Sequence, residues 1–305
     1  MRFYTRQHKF YCGIDLHART MYVCILNQEG VVLVHRDIPS DKEAFLKIVA
    51  PYREDLAVAV ECIFTWYWLA DLCDSEGIPF VLGHALYMKA IHGGKAKIDK
   101  IDSHKIAMLL RGGMIPQAYV YPARMRATRD LLRRRMHLMR KRAELLAHIQ
   151  NTNSQYNLPP FPKKLCYARN RSDVAERFTL DSVRKNVELD LDLIDHYDAL
   201  ITDLELYLVE HAKVDDPYAF HLLRSVPGIG KILSLVLLYE MHQVSRFPSV
   251  GDFLSYARLI SGRGSSAGKP KGVMGRKIGN AHLKWIFGEL ATTPLTCQPP
   301  GPAAA

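Results

Sequence analysis

Four carboxylates occupy positions from which they can hold divalent metal ions. Asp15 ends the β-rich run that contains GIDLH, and Glu61 directly follows the apolar run AVAV. Two carboxylates at adjacent strand ends repel each other unless a cation lies between them. Asp99 and Asp102 stand at i, i+3 in KIDKIDSHKIA, a spacing that places both on one face of a helix. Oxygen ligands of this kind suit Mg²⁺ or Mn²⁺, and a pair of such ions promotes phosphoryl transfer.

Each acid taken singly also has a simpler interpretation. Asp15 can end a strand or cap a turn, Glu61 can be a solvated strand end, and the later pair can neutralise the lysines beside them. The order of the four acids along the chain favours the metal site, because acids follow the first and fourth predicted strands and a helical pair comes after.

The elements that position these acids follow alternating strand and helix patterns. Three β-rich runs, FYCGIDLH, MYVCILN and VVLVHRDI, precede an amphipathic helix for which Ser40 is the expected N-cap. The buried strand LAVAVEC, a helix from about Thr65 to Ser75 and the strand IPFVLG follow. This order predicts an α/β fold whose mixed sheet has three antiparallel strands followed by βα units.

Two long helices of opposite charge bias follow the sheet. The first, Arg124 to about Gln150, is basic with an apolar stripe, and the proline-rich segment YNLPPFPKK ends it. The second, about Ser172 to His211, is more acidic, so we expect an antiparallel helical hairpin of coiled-coil type. The basic helix can carry nucleic-acid backbone, or its stripe can form a dimer contact. The candidate phosphate-binding residues on it are Arg133, Arg134 and Arg135.

The segment VPGIGKILSL resembles a helix-hairpin-helix element, which binds DNA backbone without reading sequence. Gly228 and Gly230 permit a tight turn with positive φ and let backbone amides approach phosphate oxygens, and Lys231 adds charge. The alternative is a plain corner between two helices.

The pattern GIDLH…VECIFTWYWLA…KIDKIDSHKIA resembles the RuvC-like, RNase H-fold domain of DEDD transposases from insertion sequences, the bridge-RNA-guided recombinases. The resemblance spans roughly residues 10–291 and implies that the four acids form the Asp-Glu-Asp-Asp set. The stretch SSAGKPKGVMGRKIGNAHLKW resembles the C-terminal domain of the same family. There the match implies that Ser266 is the nucleophile, with Ser265 as its rival. Four basic residues can stabilise the phosphate charge beside it: Lys269, Lys271, Arg276 and Lys277.

The resemblance implies metal-dependent cleavage and rejoining of DNA through a transient phosphoserine link, in dimers or tetramers, guided by a structured RNA. A RuvC-like junction nuclease without a serine intermediate is the alternative enzyme. The second alternative is an inactive, truncated copy that only binds nucleic acid, since the chain ends in the proline-rich ATTPLTCQPPGPAAA. An actin-like ATPase is excluded, because no glycine-rich phosphate-binding hairpin follows at DLHART.

Composition agrees with a nucleic-acid partner. The 305 residues carry a formal net charge of +10, and 48% are hydrophobic, enough for a sizeable core. The six cysteines form no CxxC pair, and no apolar run is long enough for a membrane span or a signal peptide, so we expect a reducing bacterial or archaeal cytoplasm with the nucleoid as the site of action. The predicted domains are the RuvC-like domain 1–122, the helical hairpin 123–214, the mostly helical C-terminal transposase domain 215–291 and an unstructured tail 292–305.

Overall fold

The computed structural model describes residues 2–91, 98–212, 216–260, 262–266, 269–274 and 278–296. The chain divides into two compact units, Met1–Ala123 and Arg124–Ala305. The first unit covers nearly the same residues as the predicted domain 1–122.

A five-stranded mixed sheet forms the centre of the first unit. Its order is β3-β2-β1-β4-β5, with β1 antiparallel to β2 and parallel to β4, which confirms the predicted mixed α/β sheet. The strands are β1 Phe10–Leu16, β2 Thr20–Asn27, β3 Val32–Pro39, β4 Leu56–Glu61 and β5 Phe80–Gly83. The helices are α1 Lys42–Val49, α2 Tyr67–Ser75, α3 Ala85–Ile91 and α4 Asp99–Arg111.

On β4 the two faces of this sheet differ in side-chain size. One face carries large aliphatic residues such as Ile14 and Val60, which form the main core together with residues of α1 and α2. The opposite face carries Ala57 and Ala59, in a cluster with residues of α4. Because strand residues alternate between faces, small side chains on this second face leave room for a helix to lie close to the sheet.

The N-cap of α1 is Asp41, whose side chain accepts a hydrogen bond from the Ala44 amide, so the expectation that Ser40 caps this helix is wrong. The Ser40 hydroxyl instead donates to the carbonyl of His17 across 2.9 Å. The capping position therefore lies one residue later, and Ser40 serves to hold the end of β1.

Two long helices, α5 Ala123–Gln155 and α6 Asp181–His211, follow the sheet. Three pairs of ionisable side chains join them, and later positions on α5 meet earlier positions on α6: Arg135–Glu205, Arg142–Asp198 and His148–Asp190. This order of contacts shows that the two helices run antiparallel.

Helix α6 begins at Asp181 rather than near Ser172 as predicted. Asp173 has φ +60, in the left-handed region, which a continuous helix does not permit. The residues before α6 form two separate 3₁₀ turns instead, Ala168–Asn170 and Ala175–Arg177.

The remaining elements of the second unit are α7 Pro217–Arg224, α8 Lys231–Met241, α9 Val250–Tyr256, β6 Gly262–Ser266, β7 Lys269–Met274 and α10 Ala281–Thr296. Strands β6 and β7 form an antiparallel ribbon where the sequence suggested only a basic loop. Helix α10 continues to Thr296, so the expected unstructured tail cannot begin at 292. The low helix propensity of Thr292, Thr293 and Pro294 hides this extension in the sequence.

One hydrophobic cluster contains residues of α5, α6, α8 and α10, among them Leu132, Leu208, Leu235 and Ile286. The segments predicted as separate domains, 123–214 and 215–291, therefore share a core.

Candidate functional site

Two of the four acids lie at the same edge of the sheet. Asp15 and Glu61 directly follow Ile14 and Val60, which are paired across the parallel strands β1 and β4. Ile14 and Val60 belong to the main core on the other face, so the alternation of the strands places both acids on the face that α4 covers. The Asp15 side chain is only 14% exposed.

Gly13 allows α4 to approach this face closely. A Cβ at position 13 would lie 2.2 Å from the backbone nitrogen of Ala107 and 2.4 Å from the carbonyl oxygen of Ser103. Only glycine fits there, since such distances are shorter than any van der Waals contact. Gly13, the first residue of GIDLH, therefore allows α4 to pack directly against the strand that carries Asp15.

Asp99 and Asp102 lie in the first turn of α4, where the helix dipole favours negative charge. The Asp102 carboxylate pairs with Lys105 Nζ at 3.2 Å. The first turn is held to the sheet by His35, whose Nε2 donates to the Lys100 carbonyl across 2.8 Å. The start of α4 is thus fixed at the edge where β1 ends.

His17 joins this group of acids. Its Nε2 lies 3.5 Å from Oδ2 of Asp15 and 3.5 Å from Oδ2 of Asp99. The backbone here is held by two hydroxyls, since Ser40 donates to the carbonyl of His17 and Thr65 donates to that of Leu16. The sequence alone does not single out His17, although its position two residues after Asp15 is the spacing that shares one face of a strand.

The donor set of this cluster fits a divalent metal ion. One ligand atom from each of Asp15, His17 and Asp99 lies within 4.8 Å of the others. Two carboxylates offer the oxygen ligands that Mg²⁺ and Mn²⁺ bind, and the imidazole adds a nitrogen ligand that suits a transition-metal ion. Among the residues that the structure describes, Glu61 and Asp102 lie outside this three-ligand group.

The second unit contains a buried ionic network around Glu240. Its carboxylate is 1% exposed and contacts Arg129 at 2.9 Å, Arg133 at 2.6 Å and the Asn280 amide at 2.8 Å. Burial alone raises the pKa of Glu240, but the hydrogen bond from Arg133 and the charges of both arginines outweigh it and lower this pKa to about 2. The network ties α8 to α5 and to the residue before α10.

Gly279 and Asn280, the Gly-Asn pair of the basic stretch, have structural roles. The Asn280 side-chain oxygen accepts hydrogen bonds from the amides of His282 and Leu283, which caps α10. Gly279 has φ +95, and a Cβ there would lie 2.6 Å from the carbonyl oxygen of Tyr256. The start of α10 therefore requires both residue types.

The backbone places Ser266 at the end of β6, paired with Lys269 at the start of β7. Ser265 pairs with Pro270, and Lys271 pairs with Gly264. The backbone pairing of the ribbon therefore places Ser266 opposite Lys269, and Ser265 one residue pair further along. Arg276 and Lys277 lie outside the described residues.

The turn between α7 and α8 contains the two glycines of VPGIGK. Gly228 has φ +89, as expected for a tight turn. Gly230 has φ −79 and serves as the N-cap of α8, so the expectation of positive φ there is wrong, because an extended N-cap needs no left-handed residue. Lys231 is exposed at the first position of the helix.

Two of the three candidate arginines on α5 have carboxylate partners within the chain. Arg133 contacts Glu240 and Arg135 contacts Glu205, whereas Arg134 is exposed. Of these three arginines, Arg134 is therefore the one whose charge is most available to nucleic acid.

Two family models match the chain. Residues 12–157 match the transposase model of DEDD enzymes of IS110 elements, and residues 220–304 match the model described as the transposase IS116/IS110/IS902 family. The chain belongs to the IS110 family of DEDD transposases. This confirms the resemblance inferred from the sequence and makes the protein a DNA transposase or recombinase. The first match contains all four acids and the second contains the β6–β7 ribbon. A search of curated proteins finds no significant match.

Among the residues that the structure describes, no helix of this transposase is long and apolar enough to cross a membrane.

Proposed function

We propose that this transposase cleaves and rejoins DNA with Ser266 as nucleophile and with divalent metal ions, Mg²⁺ or Mn²⁺. These ions bind at the acidic edge of the sheet, by which we mean the carboxyl ends of β1 and β4 together with the first turn of α4. The observation that carries the proposal is the convergence of Asp15, His17 and Asp99 at the end of β1. Glu61, at the neighbouring strand end, and Asp102, one turn further along α4, complete the four-acid set.

A divalent ion held by these residues would supply charge stabilisation to a phosphodiester that is being cleaved. The chain itself orients the ligands. Gly13 sets the distance of α4 from β1, and Ser40 and Thr65 fix the backbone that carries His17. Lys105 balances the charge of Asp102.

The chemical step transfers a phosphoryl group to serine. The Ser266 oxygen forms a bond to phosphorus as the bond to the leaving sugar oxygen breaks, the serine proton is released, and the leaving oxygen takes up a proton. Attack by a sugar hydroxyl on the phosphoserine then reverses the step and rejoins strands without an external energy source. The neighbouring Lys269 and Lys271, together with Arg276 and Lys277, stabilise the phosphate charge.

Nucleic-acid contacts outside the chemical step come from the turn between α7 and α8 and from α5. Gly228, Gly230 and Lys231 form a helix-hairpin-helix contact with DNA backbone, in which the start of α8 offers amides to phosphate. Arg134 adds charge, whereas Arg133 and Arg135 act through their intramolecular ion pairs. A structured RNA selects donor and target DNA, and the protein works as a dimer or tetramer on nucleoid DNA in the cytoplasm, as the family resemblance implies.

A suicide-substrate assay tests the proposal. The full-length protein is incubated with labelled donor DNA, the RNA encoded beside its gene and Mg²⁺, and protein–DNA adducts that survive denaturation are measured. We expect an adduct with the wild type and with Ser265→Ala, and none with Ser266→Ala or Asp15→Asn.

Cleavage without an adduct would contradict the serine intermediate and favour a RuvC-like hydrolytic nuclease. Binding without cleavage would indicate a copy that has lost activity. An adduct that persists in Ser266→Ala but disappears in Ser265→Ala would move the nucleophile by one residue.

A further inference from the structure

The segment between α5 and α6, residues 156–180, is a folded cap on the helix pair. Its apolar residues form a cluster with residues of both helices and are buried or half-buried. The members of this cluster include Leu158, Phe161, Leu165, Val174 and Phe178 of the cap, with Ile149 of α5 and Val187 and Ile194 of α6.

Arg171 fixes the backbone of this cap. Its side chain is 5% exposed and pairs with Asp195 and, at 2.5 Å, with Asp198 of α6. The same guanidinium donates to the carbonyls of Leu165, at 2.8 Å, and Cys166, at 3.1 Å. A buried arginine with this many partners holds the chain in one conformation.

Two further side chains hold the neighbouring carbonyls. Asn170 Nδ2 donates to the Lys164 carbonyl across 2.9 Å, and Arg142 of α5 donates to the Cys166 carbonyl across 2.6 Å. The backbone from Lys164 to Cys166 is therefore held at three consecutive carbonyls. The Cα positions from which the exposed side chains of this segment extend are therefore fixed.

A recess of about 500 Å³ opens on the outer side of this held backbone, a volume in the range of roughly 300–1,000 Å³ typical of sites for small molecules. Its lining contains three cations and no carboxylate. Arg169 lies over the ring of Tyr167 at 5.6 Å, and this ring is 54% exposed. The lining residues are Lys163, Lys164, Tyr167, Arg169 and Asn170.

We propose that this recess binds a nucleotide of a single-stranded nucleic acid. Lys163 and Lys164 contact the phosphates, and the base stacks against the Tyr167–Arg169 pair. Cations beside an exposed aromatic ring are the combination that binds single strands with little sequence preference. A protein partner fits less well, since the lining offers three positive charges and a single exposed ring rather than a hydrophobic patch.

This site is distinct from the proposed strand-exchange chemistry. It lies at the opposite end of α5 from Arg133 and the Glu240 network, which at 1.5 Å per residue is roughly 30 Å along the helix. The inference therefore does not use Ser266 or the metal ligands, and the variants of the recess change none of those residues.

Photo-crosslinking with the full-length protein tests the proposal. Short single strands that carry iodouracil bases, one of RNA and one of DNA, are irradiated with the protein, and the modified peptides are mapped by mass spectrometry. We expect an adduct within residues 163–170 that the double variant Lys163→Ala/Lys164→Ala reduces at least ten-fold while Tyr167 remains present to react. The control Lys141→Ala/Lys185→Ala removes one exposed lysine from α5 and one from α6 and should leave the adduct unchanged.

Affinity measured by fluorescence anisotropy with the same strands provides a second test. Tyr167→Ala should weaken binding on the order of ten-fold, since a stacked base is lost. Tyr207→Ala, which removes a ring that is 51% exposed on α6, should leave it unchanged. An adduct with either strand supports the site, and the comparison of RNA with DNA identifies the sugar it accepts. No adduct in the wild type, or an adduct unaffected by the lysine variant, would overturn the proposal and leave the recess to a protein partner.

Discussion

The side-chain amide of Asn280 donates a hydrogen bond to the Glu240 carboxylate across 2.8 Å, which joins the start of α10 to a carboxylate buried between α5 and α8. Asn280 is also the N-cap of α10 and follows the basic stretch that contains Ser266. The start of α10, which the Asn280 side chain caps, is therefore tied to the buried ionic network around Glu240.

Glu240→Gln should destabilise the protein by about 3 kcal/mol, because it removes the carboxylate that pairs with the buried Arg129 and the partly exposed Arg133. Urea unfolding at neutral pH measures this loss. The matched control is Glu205→Gln, whose ion pair with Arg135 is one-third exposed on the Glu205 side, and there we expect less than about 1 kcal/mol. Equal losses for the two variants would contradict a special role of the buried network.

The Glu240 carboxylate should also make the free energy of unfolding depend on pH in the acid range. The pKa of Glu240 is lowered from its ordinary 4.5 to about 2 in the folded protein, so its stabilising contribution is complete above about pH 4.5 and is lost as the pH falls towards about 2. The difference in unfolding free energy between wild type and Glu240→Gln should shrink across that window. A difference independent of pH would show that the folded-state pKa is not depressed.

His282 should make stability depend on pH in a second, higher pH range. Burial lowers the pKa of His282 from 6.5 to about 4, a shift that the charge of Glu240 opposes and those of Arg133, Arg140 and Arg129 support. The unfolded chain therefore binds a proton first, and stability falls as the pH drops from about 6.5 to about 4. His282→Gln should abolish that fall in melting temperature, whereas His137→Gln, at an exposed position on α5, should retain it.

His17→Asn should change the metal preference of the acidic edge. Imidazole nitrogen suits transition-metal ions, whereas Mg²⁺ prefers oxygen ligands, so affinity for Mn²⁺ should fall on the order of ten-fold and affinity for Mg²⁺ should change less. Calorimetric titration of the full-length protein with each ion measures both constants without requiring DNA cleavage. His196→Asn, at an exposed position on α6, is the control, and a parallel loss in both variants would remove His17 from the site.

Gly13→Ala should destabilise the first unit by about 3 kcal/mol, because the added methyl group would overlap the backbone of α4 at Ala107 and Ser103. It should also weaken Mn²⁺ binding, since α4 carries Asp99. Gly288→Ala is the matched control, as nothing lies within 4 Å of its added Cβ and alanine is the better helix former by up to about 1 kcal/mol. Unfolding curves and titrations of the two variants provide the comparison.

The sheet could be predicted from the sequence because its strands carry clear apolar runs, and these fix which acids stand at strand ends. The role of His17 could not be predicted, since it depends on the contact between the start of α4 and the end of β1, two segments that are far apart in the sequence. The β6–β7 ribbon escapes prediction for another reason. Its glycines, serines and lysines show no alternation of apolar and polar residues, so backbone pairing alone defines it. The ion pairs of Arg133 and Arg135 likewise depend on tertiary contacts, and a run of arginines looks the same whether its charges are free or paired.

The ion pairs between α5 and α6 also set rules for making a smaller recombinase. From Arg135 to Arg142 and from Glu205 back to Asp198, the two helices advance by the same number of residues. A deletion in only one helix would shift every later partner out of register, whereas equal deletions in both would keep the remaining pairs opposed. Any miniaturised version of this protein must therefore be trimmed symmetrically, and the positions beyond His148 and Asp190 are where such trimming disturbs the fewest of these pairs.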